Sequence, residues 1–83
     1  MLRAVSTPEQ PNLGAAVKAI REEKNISQVG LSEASGFRQS WVSDLENGRR
    51  NPSLSSLVRL AAGLGVRTST LIRRAELLAK QRD

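Results

Sequence analysis

The stretch Gly36–Leu54, "GFRQSWVSDLENGRRNPSL", decides how this 83-residue chain is read. Its apolar side chains are few: Phe37, Val42, Leu45 and Leu54, with the chain's single tryptophan, Trp41, among them. Val42 and Leu45 stand three apart, which puts both on one face of a helix. The spacing predicts a short helix over 39–46, stopped by Asn47-Gly48. The other face carries Gln39, Ser40, Ser43 and Asp44, and the chain leaves it through Arg49 and Arg50. What such a polar face with a basic exit is built to meet is the question the rest of the sequence has to answer.

Just upstream, "QVGLSEAS" reads as another short helix, capped by Ser27 and ended by Gly36, a residue suited to the left-handed position. Two helices joined by a tight glycine-bearing turn form the helix-turn-helix signature. The helices cross steeply, so the residue at closest approach must be small, and Ser32 is. Leu31, Val42 and Leu45 have the spacing to pack under the turn, with Phe37 plugging the core below it. In this motif the second helix enters the DNA major groove with its first residues at the base edges. Gln39 can pair bidentately with adenine, and Ser40 can serve several bases. Ser43 and Asp44 lie one turn further along the same side; Asp44 either accepts a hydrogen bond from cytosine or repels phosphate. An ordinary helical hairpin is the plainer alternative, but it leaves the polar outer face unexplained.

The remaining pattern is helical too. Asn12 is a cap for a first helix whose Leu13, Val17 and Ile20 form a stripe, closing near Lys24 or Asn25. Ser53 caps a fourth helix with Leu54, Leu57, Leu60, Ala61 and Leu64 expected inward, stopped by Gly65. A fifth runs from about Thr68 to Lys80, with Leu71, Ala75 and Leu78 on one face and Ile72 beside them. No strand signal or repeat appears. The expectation is an all-α, five-helix domain over 12–80, with the motif at 28–47, a flexible arm at 1–11 and a tail at 81–83.

Composition narrows the function. The chain has no cysteine and no histidine, which removes a disulfide framework, thiolate metal sites and the usual acid–base groups. No enzyme, metal or cofactor is expected. The first ten residues hold no apolar run fit for a signal peptide, and no window reaches the roughly 18 apolar residues of a membrane span. A soluble, cytoplasmic protein is the default. Net charge is +5, and between residues 38 and 74 seven arginines face only Asp44 and Glu46. This excess suggests a polyanionic partner, or simply a solvated basic surface.

Residues 13–72 resemble the lambda-repressor-like, Cro/XRE-type helix-turn-helix family, through "IREEKNISQ", "VSDLENGRRNPSL" and "LAAGLGV". The resemblance implies a bacterial or phage transcription regulator, often a repressor, binding double-stranded DNA as a homodimer at an inverted repeat. It also covers antitoxins, whose partner is a toxin protein, and controllers of restriction–modification systems. By the same resemblance, Gln28 touches phosphate and braces Gln39, while Asn47, Arg49 and Arg50 contact phosphate. Arg21 and Glu46 match a frequent buried pair, with registry as its role.

Three departures stand out. Positions 29–32 read Val-Gly-Leu-Ser, where the family is glutamate-rich with an alanine. Arg38 and Arg67 occupy cap positions usually held by Ser or Thr. A lost cap costs roughly 0.5–2 kcal/mol. Phosphate contact by Arg38 would offset that; otherwise a neighbouring side chain or water does the capping. Trp41, at the edge of the exposed face, either packs toward the following loop and Pro52 or contacts a phosphate or thymine methyl. The stripe Leu71, Ile72, Ala75 and Leu78 is longer than one small core needs, which makes it the expected dimer interface; an exposed, frayed tail is the alternative.

Overall fold

The computed structural model describes residues 11–80, and among them are five α-helices and no strand. They are α1 (Leu13–Glu23), α2 (Gln28–Ser35), α3 (Gln39–Glu46), α4 (Leu54–Leu64) and α5 (Thr68–Lys80). The expected tail, and the expected arm apart from Pro11, lie outside the described residues. No described helix is long and apolar enough to cross a membrane.

Short polar side chains start three of the helices. The first amides of a helix lack intrahelical partners, and a side-chain oxygen supplies one. Asn12 Oδ1 accepts from the Ala15 amide at 3.0 Å, Ser27 Oγ from Gly30 at 2.9 Å and Ser53 Oγ from Ser56 at 3.1 Å. Gly36 (φ 83°) and Gly65 (φ 74°) end α2 and α4 in the left-handed region, where a Cβ is costly.

The core is aliphatic. Val17, Ile20, Leu31, Val42, Leu45, Leu57, Leu60, Leu64 and Leu71 are buried in one cluster. α1 packs on α3 and α5, α2 on α3 and α4, and α4 on α5. The α1–α3 contact is backbone on backbone: a Cβ at Gly14 would stand 2.0 Å from the Leu45 carbonyl oxygen. That crossing sets how deep the end of α3 sits. At Gly63, a Cβ would come within 3.1 Å of Leu31 Cδ1 and 3.3 Å of Ser35, so α4 lies close on α2.

Two sequence expectations are corrected here. Leu54 is 68% exposed rather than inward. It opens α4, outside the span Leu57–Leu64 that supplies the buried residues of that helix. The expected dimer stripe is also largely spent. Leu71 and Ala75 are wholly buried within the chain, and Ile72 and Leu78 are partly covered against the same core. The physical reason is that α5 folds back along α1, so its apolar face closes this domain's own core. A two-pronged ion pair fastens that contact, with Arg74 Nη1 and Nη2 donating to the Glu23 carboxylate at 2.7 and 3.1 Å. This hydrogen bonding holds the Glu23 carboxyl below the usual carboxylate range and raises Arg74.

Candidate nucleic-acid interface

α3 is anchored by one face and open on the other. Val42 and Leu45 are fully buried. Gln39 and Ser40 are exposed, and Ser43 and Asp44 are half-buried, on the polar side. Asn47 caps the helix from an exposed position, with its amide bonded to Ser43 O at 3.0 Å. Arg49 and Arg50 follow on the exposed loop. Asp44 faces both of them, 3.6 Å from Arg49 Nη1 and 3.7 Å from Arg50 Nε. At these lengths and exposures each pair contributes only about 0–1 kcal/mol. Its effect is geometric, drawing the two loop cations toward the C-terminal turn of α3.

The N-terminal end of α3 is left open. Arg38 takes the extended cap conformation, is exposed, and makes no side-chain cap bond. The amides of the first turn therefore lack an intrahelical partner and remain free to meet an anionic oxygen.

Under the helix lies the expected pair. Arg21 Nε donates to Glu46 Oε2 at 2.7 Å and Nη2 to Oε1 at 3.0 Å, while Nη1 donates to the Ile26 carbonyl at 2.9 Å. The Glu46 side chain is only 3% exposed. Its hydrogen bond raises the Arg21 pKa against the opposing effect of burial. Gln28 departs from the expected brace on Gln39. Its Nε2 donates to Glu46 Oε1 at 3.0 Å, and no hydrogen bond joins it to Gln39 among the described residues. The carboxylate is the stronger acceptor, and the arginine already fixes it within reach. Gln28 is thus tied into a network spanning α1, the start of α2 and the end of α3.

The turn between α2 and α3 is closed by side chains. Ser32 Oγ donates to the Phe37 carbonyl, and the Phe37 amide donates to Ser35 Oγ at 3.4 Å. Phe37 does not plug the core. It is half-buried against it and stacks on Trp41, with ring centroids 4.2 Å apart and planes 14° from parallel. Trp41 therefore finds its aromatic partner inside the motif. Sequence reasoning passed over Arg59, whose guanidinium reaches the turn from α4. Nothing in its spacing along α4 marks it, since a lone arginine on an exposed helix face reads as solvated.

Two short helices at a glycine turn, the second presenting an open polar face beside two loop arginines, define a helix-turn-helix DNA-binding domain. A family profile described as helix-turn-helix matches residues 17–71, and the chain belongs to that family, of the Cro/XRE type. It is 36% identical over 69 residues to the immunity repressor protein of Bacillus phage phi105, covering 83% of this chain and 48% of that one. The chain thus spans about half the length of this relative. It is 33% identical over 69 residues to the control protein C.SmaI of Serratia marcescens, covering 83% and 82% of the two. Among solved structures, a point mutant of the restriction–modification controller protein C.Esp1396I fits with a TM-score of 0.81 at 25% identity, over 88% of this chain and 92% of that one. The same controller bound to a 19 base pair DNA duplex fits with a TM-score of 0.74 at 25% identity, over 81% and 89% of the two chains.

Proposed function

We propose that this protein is a sequence-specific, double-stranded-DNA-binding transcription regulator that acts as a homodimer on an inverted repeat. The observation that carries the reading is α3 itself: Val42 and Leu45 are buried, and Gln39, Ser40, Ser43 and Asp44 remain on the open side. Such a helix fits the major groove. Gln39 and Ser40 read base edges from its first turn, with Ser43 and Asp44 behind them. Asn47, Arg49 and Arg50 meet phosphates from the C-terminal end, and Arg38 and Gln28 from the N-terminal ends of α3 and α2. Trp41 touches the same strand beside them. These backbone contacts set affinity and its salt dependence, while the base contacts set sequence. The DNA-bound relative of the same fold supports this reading.

A dimer places two α3 helices about 34 Å apart, one turn of DNA. Leu71 and Ala75 have no surface to give it. The contact draws on Ile72 and Leu78, which keep part of theirs, and on Leu77, which is 48% exposed.

Selection from a pool of random duplex DNA near physiological salt tests the proposal. Enrichment of a palindrome with half-sites one helical turn apart is the expected result. Enrichment of nothing, with only salt-sensitive general binding, refutes it and turns attention to the antitoxin reading. A narrower form, control of a restriction–modification system, is favoured by the likeness to C.SmaI and to C.Esp1396I. It requires the selected palindrome to occur upstream of an endonuclease or methyltransferase gene.

A further inference from the structure

We infer that Arg59, on α4, is a positioning residue for α3: it clamps the α2–α3 turn and, through Phe37, fixes Trp41 on the DNA-reading side. The inference rests on the DNA-binding function proposed above.

Three consecutive turn residues meet this one guanidinium. Ser35, the last residue of α2, accepts at its carbonyl oxygen from Arg59 Nε at 3.2 Å and from Nη2 at 3.0 Å. A helix C-terminus carries partial negative charge and unpaired carbonyls, so a cation with two donors is well matched there. Gly36 comes next. A Cβ at this position would stand 2.8 Å from Arg59 Nη2 and push the end of that side chain aside, on top of the strain at a φ of 83°. Phe37 follows, with Arg59 Cζ 4.0 Å from its ring centroid, a cation–π contact.

The Trp41 ring lies 4.2 Å from the same centroid and nearly parallel to it. Two groups each about 4 Å above one ring cannot share a face, so Arg59 and Trp41 sandwich Phe37 from opposite sides. The stack runs from α4, through the turn, into the third residue of α3. Trp41 is flanked by Ser40 and Val42, so fixing its ring restricts rotation of α3 about its own axis. Gln39 and Ser40 then meet the bases in one orientation, without an ordering cost at binding.

A residue acting this way affects recognition through Trp41 and α3 and, since tryptophan is uncharged, leaves the number of neutralised phosphates alone. The test uses Arg59→Met, which keeps the stem and removes the cation and its donors. Trp41 is the only tryptophan, so its near-ultraviolet circular dichroism and fluorescence report the stack without any DNA. The expected result is a collapsed tryptophan dichroism signal with helix content and cooperative unfolding retained. Affinity for the selected palindrome falls about tenfold, the worth of one such interaction. Affinity for random duplex falls by less than that for the palindrome, and the slope of log affinity against log salt stays as in the parent. A slope reduced by about 0.9, with equal loss on random DNA, makes Arg59 a phosphate contact and overturns the inference. An unchanged tryptophan signal overturns it as well, whatever happens to DNA binding. Arg59→Lys keeps the charge without the planar fork of donors; it gives an intermediate signal and carries the test if the methionine variant does not fold. Failure of the parent chain to select any palindrome is a separate outcome. It refutes the function, and the tryptophan signal still decides the clamp.

Discussion

Replacing Glu46 by leucine tests how the network under α3 is built. The carboxylate accepts from Arg21 twice and from Gln28 once, at 2.7, 3.0 and 3.0 Å. Side-chain exposure is 3% for Glu46 and 11% for Arg21. Without Glu46, the Arg21 guanidinium keeps only its bond to the Ile26 carbonyl. Breaking one side of a buried pair costs roughly 3–5 kcal/mol. A domain of this size has roughly 4–12 kcal/mol in total, so Glu46→Leu removes a large share of it. With a urea m value of about 1 kcal/mol/M, the midpoint falls by roughly 3–5 M. Arg21→Met alone costs a similar amount, because it strands the carboxylate. The double variant leaves no charge behind, and its stability returns to within about 1 kcal/mol of the parent. Urea unfolding of the four proteins, followed by far-ultraviolet circular dichroism, closes the cycle. If each single change costs less than about 1 kcal/mol, or the double change costs the sum of the two, the pair is not a registry device and the argument fails.

Other consequences are as direct. Gly14→Ala drives a methyl into the Leu45 carbonyl and should cost about 1–3 kcal/mol or more; a thermal melt reads this as roughly 4–8 °C per kcal/mol. Leu71→Ala opens a cavity in the core and should cost about 2–5 kcal/mol, while sedimentation of the folded protein shows the oligomeric state unchanged. Glu23 titrates below the usual carboxylate range, so its contribution is present above the unfolded value and lost as pH falls through the folded one. Chemical unfolding across the acid range should therefore show Glu23→Gln less stable near neutrality and converging with the parent at low pH. A constant difference at every pH would remove the ion pair from the account.

Local signals wrote much of this fold. Asn12, Ser27 and Ser53 cap where short oxygen-bearing side chains precede an apolar stripe, and Gly36 and Gly65 end helices because only glycine takes that backbone cheaply. The bounds of α3 follow from Val42, Leu45 and the Asn47-Gly48 stop. What stayed hidden depends on which surfaces meet. Periodicity says that Leu71 and Ala75 share a face, but not that the face lies on α1 instead of on a second subunit. Gly14 carries no signal of its own in the sequence, and only the crossing with α3 explains it. Gln28 donates to the Glu46 carboxylate that Arg21 fixes, a partner 18 positions away that local spacing does not mark. Arg59 is invisible for the same reason, since its partners sit 22–24 positions away.

The central claim is that α3 reads sequence while the loop after it supplies backbone affinity. Binding of Gln39→Ala and Arg50→Ala to the selected palindrome and to random duplex, across a range of salt, tests it most directly. Gln39→Ala should lose about 1–3 kcal/mol on the palindrome alone, with its salt slope unchanged. Arg50→Ala should weaken both DNAs alike and lower the slope by about 0.9. Equal losses from the two variants on both DNAs, with the same slopes, would contradict the account.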